Sequence, residues 1–184
     1  LTAYTKAALE QTKFVYRVEL LPGYGHHIDY SLTTPWLAQY KRNPTPLHVS
    51  WEDFEMDGRY RRGFSNLVVL ERPDTQERTY YDETISNNTI DLSVNNVVYT
   101  TIEKDTIWGI DLKFKKRFTP ATSGKLRIYL SENQIDLKRP VRILVNGQEK
   151  FNGRLRPSLK AMAESLSVFY DPERIFPVYV DITI

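Results

Sequence analysis

The feature that most constrains this chain is a succession of short, alternating runs, each closed by a turn dipeptide, from residue 48 onward. "HVSWEDFE" (48–55), "FSNLVVLER" (64–72), "RTYYDETIS" (78–86), "TIDLSV" (89–94), "VVYTTI" (97–102), "WGIDLKF" (108–114) and "KLRIYLS" (125–131) read as strands. Asp57-Gly58, Pro73-Asp74, Asn87-Asn88, Asn95-Asn96 and Ser123-Gly124 supply the breaks between them. "RPVRILVNGQEKFNGRL" (139–155) predicts a hairpin, because Asn146-Gly147 suits a two-residue turn whose left-handed residues match strand twist. Pro157 opens a helix through about Phe169, and "VYVDITI" (178–184) gives a last strand. Short strands at regular spacing predict a β-sandwich, with the late helix crossing between sheets or capping one end.

Composition narrows the class. Of 184 residues, 41% are hydrophobic and 26% charged, the balance of a globular protein rather than a disordered one. The 12 tyrosines suit half-buried strands. A net charge of +2 lacks the basic footprint of a nucleic-acid binder, so no nucleic-acid partner is expected. "RYRRG" (59–63) and "KFKKRF" (113–118) read as basic strand faces or blunted edges. With no cysteine, disulfide scaffolds, thiolate metal sites and cysteine nucleophiles are excluded. No apolar run approaches the ~20 residues of a membrane-spanning helix, and nothing resembles a signal peptide.

The first 43 residues differ in character. "TAYTKAALEQT" (2–12) predicts a short helix and "KFVYRVELL" (13–21) a largely buried strand. A Gly-rich turn, 22–27, leads to a second helix, "SLTTPWLAQYKRN" (31–43), with Thr33 or Thr34 as its cap and Pro35 in its first turn. "NPTP" (43–46) ends it as a stiff linker. The boundaries expected are therefore 1–43, a linker at 44–47, and a β domain over 48–184. A single strand has no ladder partner, so the first piece needs the rest of a sheet.

The turn holds "GYGHH", two of the three histidines of the chain. A histidine at the end of a buried strand suits general acid–base work, since its ordinary pKa lies near neutrality. The order helix, strand, Gly-x-Gly-His turn and closing helix resembles the C-terminal end of an α/β-hydrolase, whose triad histidine follows the last strand of the sheet. The wider pattern "GYGHH…PWLAQYKRNPTPLHVSW", with "LSENQIDLKRPVRILVNGQEKFNGRL" and "FYDPERIFPVYVDI", is similar to bacterial prolyl oligopeptidase-like or esterase-like serine hydrolases carrying an appended β-sandwich. The resemblance covers nearly the whole chain. It implies a mainly β fold, an immunoglobulin-like β-sandwich preceded by a helix–strand–helix remnant of the hydrolase sheet. It makes His26 the catalytic base, with His27 as the alternative. It also implies no cofactor, a small ester or peptide as the parent's substrate, and a compartment that leans secreted or periplasmic.

The pattern departs from that family in two respects, since the loop that would supply the triad acid is absent as well as the nucleophile. No G-x-S-x-G elbow occurs, and the nearest match, "GFSNL" (63–67), lacks the second glycine and follows the histidine. The chain is thus expected to be a C-terminal fragment, inactive alone, whose partner is the missing N-terminal part of its own catalytic domain. A non-enzymatic β-sandwich binding module, for carbohydrate, is the rival. A dimer through an edge strand, making a homo-oligomer, is a third reading.

Other constellations have plainer expectations. A metal site is not expected, because adjacent histidine side chains diverge and no third ligand has suitable spacing. "WEDFEMD" (51–57) lacks the glycine and distal glutamate of a calcium loop and reads as a strand end entering a polar turn. Trp36 and Trp51 are expected to be buried and to tie the two parts together, while Trp108 is kept as a surface aromatic. Leu159, Met162, Ala163, Leu166 and Phe169 recur as one helical face and are expected to pack into the core.

Overall fold

In the computed structural model, the residues described are 9–10, 15–17, 22–23, 31, 33–73, 78–103 and 113–184. The chain forms two compact units, Leu1–Arg42 and Asn43–Ile184.

In the first unit, residues 9–10 are helical and residues 15–17 carry no regular structure, so the strand expected over 13–21 has no support there. The second helix is shorter than expected: α1 spans Thr33–Leu37 only. Its bonds tighten at once, from Ala38 N–H to Thr34 O (3.0 Å) to the three-residue spacing of Tyr40 N–H to Leu37 O (3.1 Å). Two β-branched threonines and a proline in five residues leave little propensity to carry the helix further.

Among the described residues the second unit has ten strands: β1 His48–Phe54, β2 Gly63–Phe64, β3 Leu67–Glu71, β4 Arg78–Ser86, β5 Thr89–Glu103, β6 Lys113–Pro120, β7 Lys125–Leu130, β8 Val141–Val145, β9 Gln148–Gly153 and β10 Val178–Thr183. The unit is mainly β. One sheet runs β1-β4-β5-β8-β9, with β6 also paired to β5; the other runs β10-β7-β3-β2. Every pair is antiparallel except β5 with β8, so the larger sheet is mixed.

Alternation decides the faces. Trp51, Tyr81, Ile85, Leu92 and Val94 of the larger sheet share one core with Leu67, Leu126, Ile128, Leu130, Val178, Val180 and Ile182 of the smaller. Asn87-Asn88 and Asn146-Gly147 are left-handed at both positions, with φ of 49 and 59° and of 49 and 78°, as their hairpins require.

The turn expected at Asn95-Asn96 does not exist. β5 runs straight through, because Asn95 pairs with Tyr80 on one side and Pro120 on the other, and Asn96 with Thr79 and Thr119. Ladder partners on both edges override a local turn preference.

That long strand changes partner midway. Its start, Thr89–Leu92, lies parallel to β8, and from Asn95 onward it lies antiparallel to β6. Asn146 fills the joint. Its backbone N–H donates to Leu92 O (2.9 Å), its Oδ1 accepts from Val94 N–H (2.9 Å), and its Nδ2 donates to Val94 O (3.0 Å). The side-chain amide stands in for a peptide unit at the switch, beside the Ala121 N–H that also donates to Val94 O at 2.9 Å.

The late helix, α2 (Leu159–Phe169), lies on the connection from β9 in the larger sheet to β10 in the smaller. Ser158 caps it, its Oγ accepting from Ala161 N–H at 3.1 Å, and Tyr170 ends it in the left-handed conformation. Phe169 and Phe176 pack edge-on or tilted against Tyr129, which points out from the smaller sheet, at ring separations of 5.5 and 5.9 Å. Arg127 joins Asp181 through two hydrogen bonds (2.7 and 2.9 Å) and reaches Glu164 of α2 at 3.0 Å.

The face that α2 buries is only in part the one its periodicity suggests: Phe169 packs on Tyr129 and Met162 is half-buried, but the rest of that face is exposed. Ala161 and Ser165 are buried, whereas Leu159 and Leu166 are exposed. Small side chains let the helix approach closely, and Ser165 Oγ accepts from Phe176 N–H (2.9 Å) while donating to Met162 O (2.9 Å). That polar anchor fixes the helix rotation.

Candidate functional site

His26 and His27, the two candidate bases, lie outside the described residues, as does Trp108. The approach to their turn is described at Gly23, whose φ of 84° is a conformation that glycine adopts readily and other residues resist. Beyond it, Trp36 of α1 meets Tyr40 edge-on at 5.2 Å within the first unit.

"GFSNL" is not a nucleophile elbow. Gly63 and Phe64 form β2, Ser65 sits at φ 55° in the turn, and Leu67 begins β3. An elbow leads from strand to helix; here strand leads to strand. Gly63 is required because an added Cβ would meet Leu67 O at 2.2 Å.

The remaining histidine, His48, faces solvent on β1 with Nε2 3.3 Å from Asp82 Oδ1. Tyr80 donates to the other oxygen of Asp82 at 3.0 Å, and Ser50 bonds to Tyr80 in turn. The serine is at the far end from the histidine, which is the order of a cross-strand network, not of a nucleophile–base–acid relay. Burial, and then the bond to Asp82, raise the Tyr80 pKa.

Three titratable groups with raised pKa lie between the sheets, on the inward positions of β1 and β4. Asp53 follows Val49 and Trp51 in phase and is 1% exposed. Arg72 Nε is 3.7 Å from its Oδ2. Burial raises its pKa; the Arg72 charge, and the backbone N–H and charge of Arg61, offset this only in part. Tyr81, stacked on Trp51 at 4.9 Å, is pushed up by burial and then by the negative charge of Asp53. A cavity of about 160 Å³ adjoins the cluster, lined by Trp51, Glu52, Asp53, Phe54, Met56 and Arg61.

Glu83, two positions beyond Tyr81 on the same face, is fully buried, and burial pushes its carboxyl up to about 7. Asn66 Nδ2 donates to its Oε1 at 3.2 Å. Glu83 Oε2 and Asn66 Oδ1 hold no other bond, and as an ionised acid and an amide both are acceptors. A protonated Glu83 would supply the donor that these acceptors lack.

Glu83 is enclosed in the interior, while Asp53, also buried, lines the smaller cavity. Sequence reasoning passed over Asp53, Arg72, Glu83 and Asn66. The available signal was a carboxylate in phase with Val49 and Trp51 on one strand, and with Tyr81 and Ile85 on the other. Trp51 is buried within the second unit itself, against Tyr81 and Phe64.

A second, open cavity of about 600 Å³ lies where Asn87 and Asn88 meet Glu132, Gln134, Asp136 and Lys138. The Asn88 amide is already committed to Asp136 and Pro140, and Gln134 to Pro46, so these polar groups hold loops together. Among the described residues, no group of three or more His, Asp or Glu could hold a metal ion, and no helix is long and apolar enough to cross a membrane. No known family, curated protein or solved structure matches this chain.

Proposed function

We propose that this chain is the histidine-bearing end of a serine hydrolase, acting on an ester or a peptide bond. His26, with His27 as the alternative, is its general base. The base takes the proton of the serine as it attacks the carbonyl carbon and returns it to the leaving group. Serine and acid come from residues not among these 184. The second unit is an appended immunoglobulin-like β-sandwich that stabilises the catalytic part or narrows access to it. The observation that carries this reading is the "GYGHH" turn between a strand-like run and a closing helix, followed by the Asn-Pro-Thr-Pro linker. Two compact units that meet between Arg42 and Asn43 also support it. Two sheets around one core support the sandwich, although the parallel β5–β8 pair departs from an all-antiparallel immunoglobulin pattern.

Fluorophosphonate labelling of the protein as its own cells produce it tests the proposal, with the intact mass of the labelled species. A labelled species well above 21.6 kDa that contains this sequence supports it, and His26→Ala should then abolish labelling and turnover. An unlabelled species of 21.6 kDa sinks it.

One observation favours the rival reading, a carbohydrate-binding module. The outward face of the larger sheet carries Phe118, 48% exposed, against Tyr80 at 5.3 Å, with Phe54 beneath Arg78 at 4.5 Å. Sugar rings stack on such faces. Retention on polysaccharide by wild type, lost in Phe118→Ala, would select this reading over the first.

A further inference from the structure

The outward side of α2 carries an apolar stripe that the second unit does not cover. Leu159 is 83% exposed, Leu166 42% and the capping Tyr170 87%, and Ala163 between them is exposed as well. They recur at intervals of four, three and four residues, which aligns them along one side of a helix. The buried line, Ala161 and Ser165, is on the other side. Charge is also unusual here. Arg154 and Arg156 precede the helix and Lys160 sits in its first turn, while Asp171 and Glu173 follow its end, ahead of Arg174, whose guanidinium is taken up by Ser65 O and the Phe169 ring. A helix favours the opposite arrangement, because its N-terminus is the positive end of its dipole.

We infer that α2 docks on α2 of a second copy of this chain, antiparallel across a two-fold axis. An axis level with the Glu164–Ser165 bond sets Leu159 against Tyr170 of the second copy. It also sets Ala163 against the second copy's Leu166, a small side chain facing a large one at the closest approach. In that register the basic lead-in of each helix, Arg154 and Arg156, lies beside the acidic run-out of the other, Asp171 and Glu173. The two dipoles oppose, so the charges that disfavour each helix alone favour the pair. A parallel pairing would instead stack like charges and aligned dipoles. The contact is isologous and closes as a dimer. With 11 residues the helix is short, about 16 Å, so the face is smaller than a standard interface and the dimer is weak and concentration-dependent.

Sedimentation velocity of the full chain, from about 1 µM to about 1 mM, tests this. A monomer–dimer transition within that range is expected. Leu159→Glu and Leu166→Glu each raise the dissociation constant at least about tenfold, with unchanged circular dichroism because both sites are exposed. The absence of native cysteine allows an orientation test with Ala163→Cys and Leu166→Cys. Mixing the two variants under oxidation should cross-link unlike with unlike in excess of either alone. Like-with-like cross-linking overturns the antiparallel arrangement. A dimer indifferent to both glutamates overturns the choice of face. A monomer at every concentration overturns the proposal, whether residues 1–42, another protein or solvent covers the stripe.

Discussion

Replacing Glu83 with glutamine separates the proton on this buried acid from everything else in the fold. The carboxyl is wholly enclosed, flanked across the ladder by Val49 of β1 and Leu92 of β5, and faced from the other sheet by Asn66. Its pKa of about 7, raised by burial from an ordinary 4.5, means the native chain holds a proton that the unfolded chain has released. The gap of about 2.5 units corresponds to about 3 kcal/mol at 1.36 kcal/mol per unit. The sign follows from proton counting. Between about 4.5 and about 7 the native state binds more protons than the unfolded, so this group's share of stability falls as pH rises through that window. Above it, both states are ionised and the loss is complete. Glutamine keeps the Oε1 acceptor for Asn66 Nδ2, carries an N–H where the protonated acid carries its O–H, and has nothing to titrate. Thermal or urea unfolding of wild type and Glu83→Gln, at matched ionic strength from about pH 4 to about pH 9, reads the difference. The other titrating groups cancel in it. The variant should gain on wild type by about 3 kcal/mol across the window, or about 6–12 °C in Tm for a chain of this size. A difference that stays flat with pH, or a variant that loses ground as pH rises, would refute the reasoning.

Three further predictions concern the interior. Arg72→Met should cost about 3 kcal/mol in urea unfolding, because it strips the cation from a carboxylate that is 1% exposed, while Asp53→Asn should cost under about 1 kcal/mol. Equal losses would show a net-stabilising ion pair instead. Asn146→Ala removes both ladder bonds to Val94 and puts alanine at φ 49°, for a loss of about 2–3 kcal/mol. Amide exchange at Val94 should rise with it, and unchanged exchange there would contradict the bridging role. Ser158→Ala should lower stability by about 1 kcal/mol through loss of the α2 cap, read by thermal unfolding.

Periodicity and turn chemistry made the strands legible wherever a single edge or a single turn decided the outcome. The run Arg78–Ser86 and the Asn146-Gly147 hairpin are cases of this, since two-residue alternation and a left-handed turn are local properties. Legibility failed wherever a partner distant in sequence settled the matter. Asn95-Asn96 has the composition of a turn, and only strands on both sides of it keep β5 extended. The buried acids failed for the same reason. Asp53 and Glu83 look like the solvent-side members of amphipathic strands until the phase set by Val49, Trp51, Tyr81 and Ile85 turns them inward. Arg72 and Asn66, which make those positions tenable, come from the other sheet and its continuation.

Helix α2 shows how far pattern alone reaches. Periodicity identifies one face, Leu159, Met162, Ala163, Leu166 and Phe169, but it does not say which neighbour each part of it meets, and only Met162 and Phe169 are half-buried. Within the second unit the sheet takes the opposite side, because Ala161 allows close approach and the Ser165 hydroxyl holds the backbone of Phe176. Rotating the helix to bury Leu166 would carry Ser165 away from Phe176 and leave that amide without its acceptor. A lost hydrogen bond at a buried N–H costs about 1–3 kcal/mol, comparable with the gain from burying one leucine. The balance tips further because Phe169 and Phe176 are already packed on Tyr129 in the observed rotation. An apolar stripe left outward under those conditions costs the unit little alone and becomes favourable once a surface of opposite charge order covers it. The antiparallel second copy supplies such a surface from the same sequence, which is why the stripe and the inverted charges of α2 are best explained together.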